Sequence, residues 1–370
     1  MKIEQIGFEV NKIADLKLAQ DWDNVGLLVG DADKEINTIL VTIDVTKAVV
    51  EEAKKVGADL ILSYHPIIWD GLKQVVAGGD SEVVYELVRA GICVYSIHTA
   101  YDVAAGGVND QLAEIVGIVD GVPIGDYVDE PGGPGYKLVT FVPVEHVNCV
   151  AAAIHRAGAG KIGNYSHCSF RTDGVGTFRP LKGAKPAIGA LGKFERVSEI
   201  KLESIVPAEK IEAVVAELRK VHPYEEPAFD VFRHWDVEKK LGLGRIGELA
   251  EPVRLEAIIA KVKKVTGAEA VGIVGPGKRV VKKAAVCAGS CGKIINNVIA
   301  AGCDVYLTGE LKHHQAMAAA EAGMTCLCLS HTVSERFALK NLVKRLQKPL
   351  KDVTIRISRK DADPFKWVCV

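Results

Sequence analysis

A chain of 370 residues with 48% hydrophobic and 25% charged residues has a globular composition and is long for one core, so two or three domains are expected. Its 46 basic and 47 acidic residues leave a formal net charge of −1, which gives no electrostatic footprint for nucleic acid. No stretch is apolar for long enough to span a bilayer, so membrane chemistry is not expected either.

The opening segment is helix-like and passes through the polar tip Asp21-Trp22-Asp23-Asn24 into an apolar strand. Residues 38–44 are β-branched and read as a second strand, and 46–56 have helical spacing that stops at Gly57. The continuous apolar run from Asp59 to Ser63 reads as a central parallel strand ending in Tyr64-His65-Pro66. A helix over 82–90 then leads to the strand from Cys93, which ends in His98. Strands alternating with helices predict βαβ units and a mostly parallel sheet.

The middle of the chain has another texture. The run 130–135 (Glu-Pro-Gly-Gly-Pro-Gly) is a breaker and a plausible boundary. Beyond it the spacing predicts a strand over 136–144, a helix over 147–156, a strand pair within 193–207, a helix over 208–221 and a strand over 229–235. That order suits a small α+β, ferredoxin-like sandwich. The segment His222-Pro-Tyr-Glu-Glu-Pro227 is polar and turn-like, either a solvated loop or a binding surface. A second breaker run over 241–247 returns the chain to α/β texture.

From 283 onward the first pattern recurs. A strand over 283–288, the loop Gly289-Ser-Cys-Gly292, a helix to Gly302, a strand over 304–308, a helix over 310–322 and a strand from Cys326 follow in order. The loop lacks nucleotide-loop spacing and reads as a tight turn. The Gly-x-Asp-apolar phrase at Gly57 and Asp59 returns at Gly302 and Asp304. The phrase His98-Thr99-x-x-Asp102 returns as His331-Thr332-x-x-Glu335. Two matches in one order predict an internal duplication, and so two pseudo-repeated α/β lobes with an inserted α+β domain. The expected divisions are 1–128, 129–238 and 239–370.

In parallel sheets, ligands collect at the carboxyl ends of strands. His65, His98, Asp102, His331 and Glu335 all fall there, with His313 and His314 on the helical turn after Thr308. Imidazole with carboxylate suits zinc, iron or manganese. Glu335 also fits a capping box with Thr332, and Asp102 an Asx-turn. The repeated phrase at two strand tips favours the metal reading. Cys287 and Cys291 are weaker candidates for metal or redox chemistry. The other cysteines lie mostly inside apolar runs, as in reduced proteins, and the first residues lack a signal-peptide pattern, so a cytoplasmic location is expected.

These motifs resemble the GTP cyclohydrolase I type 2 homologues, also described as dinuclear-metal-centre hexameric proteins. The resemblance runs through residues 21–26, 63–66, 71–73, 98–102, 308–314 and 330–335, and through 163–170, 174–178 and 222–228 of the insert. It implies two facing lobes, a CutA-like or PII-like insert and a homo-hexameric toroid. It also implies one or two divalent ions per chain, held by His65, Asp102, His331 and Glu335, with Glu335 bridging. Tyr64 stands where a second histidine ligand is expected, and a phenol with a pKa of about 10 is a poor zinc ligand. His98 is then either a substitute ligand or an orienter of Asp102. The implied activity is metal-dependent hydrolysis of a nucleotide or related small molecule, with His314, His313, His98 and Glu310 as candidate acids or bases. The alternative is a non-catalytic metal-binding ring whose insert senses a small molecule.

Overall fold

The computed structural model describes residues 1–125, 128, 135–162, 165–233 and 241–368. The expected breaker run 130–135, apart from Gly135, lies outside these residues, as do Gly163, Asn164 and the last two residues of the strand expected over 229–235. Residues 1–129 and 240–370 form one compact unit, and 130–239 form a second.

The strands in chain order are β1 (Gly26–Val29), β2 (Thr38–Thr42), β3 (Leu60–Ser63), β4 (Cys93–Ser96) and β5 (Val122–Ile124). The second unit holds β6 (Tyr136–Pro143), β7 (Ser169–Phe178), β8 (Glu195–Val206) and β9 (Phe229–Arg233). The chain then returns with β10 (Gly244–Arg254), β11 (Gly272–Val274), β12 (Val280–Cys287), β13 (Val305–Thr308), β14 (Thr325–Cys328) and β15 (Thr354–Ile357).

In the first unit one sheet runs β1-β4-β3-β2-β15 and the other β11-β14-β13-β12-β10-β5. In each, three central strands are parallel and an antiparallel strand closes one edge, β1 against β4 and β11 against β14. The duplication extends to atomic detail. Asp59 Oδ2 accepts the backbone N–H groups of Asn37 and Thr38 at 2.8 and 3.1 Å. Asp304 Oδ2 accepts those of Lys282 and Lys283 at 2.7 and 3.1 Å. Each acid thus pins the start of the neighbouring parallel strand.

Local sequence explains these elements. The helix Lys47–Val56 starts at Thr46, whose hydroxyl accepts the Val49 N–H, and stops at Gly57 in the left-handed region. Leu60, Ile61 and Leu62 are each fully buried. Leu60 and Leu62 face a core shared by both sheets, whereas Ile61 packs under helix residues Val49, Ala53, Val84 and Leu87. Burial on both faces is what a continuous apolar run means, and each such side chain contributes about 1.5–3 kcal/mol.

Two expectations change. The stretch 193–207 holds one strand, β8 (Glu195–Val206), whose antiparallel partner is β7. Gly174 and Gly176 dilute the strand signal of β7, and a Cβ at Gly176 would lie 2.1 Å from a Glu199 carboxylate oxygen. The run 241–247 lies just past the return to the first unit, but it is not a loop throughout, since β10 begins at Gly244. A Cβ at Gly244 would lie 2.7 Å from the Val286 carbonyl, and one at Gly247 would lie 2.7 Å from Ile118, so these glycines serve close strand packing.

The second unit is a four-stranded antiparallel sheet in the order β7-β8-β6-β9. With the helices Val147–Arg156 and Ile211–Val221 it follows the strand-helix-strand-strand-helix-strand order. Val150, Ile154, Val214 and Leu218 join Leu138, Val142, Leu202 and Val206 in its core.

Candidate metal centre

The site lies in the first unit, where strand tips of both sheets meet. His65 follows β3 by two residues. His331 and Glu335 lie on the short helix His331–Arg336 that follows β14. Donor atoms of these three residues lie within 4.8 Å of one another. His65 Nε2 is 3.4 Å from Glu335 Oε2, and His331 Nε2 is 3.2 Å from Glu335 Oε1. Ligands bonded to a tetrahedral ion at about 2.0–2.1 Å stand about 3.3 Å apart, so this spacing fits an ion. Glu335 is 3% exposed, and its Oε2 has no hydrogen-bond partner. A buried carboxylate oxygen without a donor is costly, and a cation beside it removes that cost.

The capping-box reading of Glu335 with Thr332 fails, because the helix already begins at His331 and Thr332 lies within it rather than at its cap. Glu335 instead turns inward to both imidazoles. Gly289 makes room for it: its φ is +66°, and a Cβ there would lie 2.5 Å from Glu335 Oε1. The Gly289 N–H donates to Ser334 Oγ at 2.9 Å, tying the loop to the same helix.

Carboxylates hold the far side of each histidine. His65 Nδ1 meets Asp44 Oδ1 at 2.9 Å, and His331 Nδ1 meets Glu310 Oε1 at 3.0 Å. Both rings therefore present Nε2 to Glu335, an arrangement typical of metal-binding imidazoles. His98 belongs to a third such pair, with its Nδ1 2.8 Å from Asp23 Oδ1. The Thr99 N–H and hydroxyl donate to the other Asp23 oxygen. The His98 ring lies 5.1 Å from that of His65 and is in edge contact with both Trp22 and Trp69.

Asp102 is buried on the helix His98–Val103. It stands outside the three-residue cluster, and its Oδ1 accepts the hydroxyl proton of Tyr64. Tyr64 is 1% exposed, its ring edge-on to His65 and His98. The charges respond to this crowding. Burial, then the Glu335 charge, pushes Asp102 up to about 7. Burial and then Asp102 push the Tyr64 phenol well above its usual value. The Glu335 hydrogen bond lifts His331 to about 10, against burial. For His65, burial opposes the charge, but the Asp44 hydrogen bond and Glu335 outweigh it. Burial likewise opposes ionisation of Asp23, but its bonds to His98 and Thr99 pull it below the usual carboxylate value. Perturbed groups gathered in one place are a common feature of functional sites, and structural ion-pair networks produce them too.

His313 and His314 are exposed on the helix His313–Glu321, with their rings against each other. Glu310 serves as the partner of His331. Cys291 donates its thiol to the Ala288 carbonyl, and Cys287 is buried. The segment from His222 lies in the second unit. There Tyr224 donates to the buried Glu199 at 2.7 Å, beside a cavity of about 930 Å³ that also borders Phe178, Arg179 and Lys201. Sequence reasoning did not single out Asp44 or the carboxylate role of Asp23. Each follows the same signal as the ligands, an acid at a polar strand or turn tip.

A sequence model of the family described as Duf34/NIF3 (NGG1p interacting factor 3) matches residues 1–364. The chain is 36% identical over 356 residues to a Halalkalibacterium halodurans protein named GTP cyclohydrolase 1 type 2 homolog, covering 95% of each. It is 38% identical over 328 residues to a Mycobacterium tuberculosis protein of the same name, covering 86% of this chain and 84% of that one. The crystal structure of a Bacillus cereus protein related to NIF3 matches with a TM-score of 0.83 and 34% identity, covering 100% of this chain and 99% of that one.

Proposed function

The chain belongs to the Duf34/NIF3 family, and on that premise we propose that it is a divalent-metal-dependent hydrolase of a nucleotide or related small molecule. The observation that carries this is the convergence of His65, His331 and Glu335 around an unpartnered buried carboxylate oxygen. Zinc, iron and manganese all suit that donor set. When bound, such an ion lowers the pKa of water and stabilises charge developing on oxygen. The chain's own groups do the rest. Asp44 and Glu310 fix the imidazole orientations, and His98, held by Asp23, offers its second nitrogen for proton transfer beside the site. The name of these relatives, GTP cyclohydrolase 1 type 2 homolog, makes GTP the first substrate to try. Release of phosphate or formate from GTP should occur with the native protein and disappear after complete metal removal or in Glu335→Gln. Activity that survives metal removal overturns the proposal.

The family resemblance supports a homo-hexamer, which sedimentation of the purified protein tests. Eight cysteines among the described residues are all unpaired, and no helix among them is long and apolar enough to cross a membrane. Unpaired thiols support a reducing, cytoplasmic compartment.

A second reading, a metal-binding ring whose insert senses a small molecule, draws on the cavity beside Glu199 and Tyr224. It would be favoured by a protein that binds metal but turns over no nucleotide, and excluded by metal-dependent turnover that Glu199→Gln leaves unaltered with respect to every added metabolite.

A further inference from the structure

The first sheet brings one more polar residue to the site than the metal reading uses. Tyr64 directly precedes His65, and its backbone is pinned on two sides. Its N–H donates to the Thr42 carbonyl at 2.9 Å, and its own carbonyl accepts the His98 N–H at 2.9 Å and the Ser96 hydroxyl at 2.8 Å. The ring is buried edge-on against the imidazoles of His65 and His98, with centroids 5.2 and 5.8 Å away. A phenol held this way has one place for its proton, and that place is Asp102.

The consequence falls on Asp102. Glu335 turns one oxygen to each of His65 and His331, a posture from which a carboxylate can bridge two ions. A second ion would need a further anionic ligand, and Asp102 is a buried carboxylate close by whose Oδ1 meets Tyr64. That oxygen is already taken by a neutral donor, and Asp102 stands apart from the converging cluster. A cation there would have to share Asp102 with that hydrogen bond and sit against a buried phenol. A phenol oxygen is a weaker ligand for such a divalent ion than an imidazole or a carboxylate.

We infer that Tyr64 limits this centre to one divalent ion per chain, seated by His65, His331 and Glu335, with its hydroxyl keeping Asp102 as a hydrogen-bond acceptor outside the ligand set. This rests on the metal reading above and adds its stoichiometry. Tyr64 is thus a positioning residue: it touches no ion and decides how many can bind.

The test loads metal-stripped full-length protein with excess zinc, removes free metal by gel filtration and counts ions per chain. Cobalt substitution reports coordination through its visible absorption. One zinc per chain is expected for the native protein and two for Tyr64→His. Tyr64→Phe, which keeps the ring, should still bind one ion, with weaker cobalt bands as the released Asp102 raises the coordination number. Two ions in the native protein overturn the inference alone, whereas none overturns the metal reading and the inference with it. A folded Tyr64→His that still binds one ion, or a Tyr64→Phe cobalt spectrum identical to the native one, also counts against it.

Discussion

Asp44 Oδ1 and His65 Nδ1 stand 2.9 Å apart, each two residues beyond the end of a parallel strand. Their meeting is a consequence of register, since Thr42 of β2 lies opposite Ser63 of β3. The acid fixes which imidazole nitrogen faces Glu335. Replacing it by asparagine keeps the shape and weakens that control. Asp44→Asn should lower zinc affinity by about 10- to 100-fold while leaving the fold intact. Competition with a chromophoric chelator, alongside circular dichroism, measures both. Unchanged affinity would remove Asp44 from the site.

Gly289 offers a steric probe of the same centre. Alanine there must adopt a φ of +66° and place its methyl group 2.5 Å from Glu335 Oε1 and 3.3 Å from His331 Nε2. Gly117 has a φ of +98° with no atom within 4 Å of its Cβ position, so Gly117→Ala carries only the backbone strain. Both substitutions should cost about 1–2 kcal/mol of stability from the left-handed backbone. Gly289→Ala alone should lose bound metal. Thermal melts and metal analysis of the pair separate the two effects.

Proton release gives a third check. With its folded value raised from 6.5 to about 10, His331 carries a proton at neutral pH in the metal-free protein. An ion must displace that proton, so affinity should rise about tenfold per pH unit between about pH 7 and pH 10. Titration calorimetry at pH 8 in buffers of different ionisation enthalpy should show about one proton released per ion. Stability of the metal-free protein runs the opposite way. A raised folded pKa stabilises the fold fully below pH 6.5, and this contribution fades as pH climbs through about 10. Asp102, raised to about 7, has the same sign at lower pH, losing its contribution from about pH 4 to pH 7. The melting temperature without metal should therefore fall with alkalinity, and added zinc should restore more of it at high pH.

Arg245 tests what holds the two sheets in place. It is 6% exposed and pairs with Asp110, while its guanidinium donates to the carbonyls of Gly242, Gly244 and Val103 at 2.7, 3.0 and 2.9 Å. Val103 follows Asp102 directly, so the arginine of one sheet supports the helix that carries the acid of the other. Arg245→Ala would strand these acceptors and should cost about 3–5 kcal/mol. Denaturant titration of the full chain measures it.

The clustered residues His65, His331 and Glu335 were legible in the sequence because they sit at strand tips, and the repeated His-Thr-x-x-acid phrase made two tips visible together. The lobes were legible for a related reason: the Gly57 and Gly302 turns, each opening a Gly-x-Asp phrase, are local signals. Asp44 and Glu310 were harder to find as partners, because pairing depends on parallel register and on loop paths that no local pattern encodes. β7 was hidden by its glycines, and β10 by a glycine-rich start that packing requires. Tyr64 was visible as an unusual residue, but its hold on Asp102 required three dimensions.

The place of β15 has a consequence for how the protein is made. Residues 354–357 pair with β2, so the sheet begun earliest gains its last strand after all others have been synthesised. Until then, β2 presents an open parallel edge beside the segment that carries Asp44. On the ribosome, the amino-terminal half must wait with that edge exposed while the inserted unit and the second sheet emerge. Chaperone dependence during synthesis, and a sharp loss of yield when translation stops short of residue 354, are the cellular signatures of such an order of assembly.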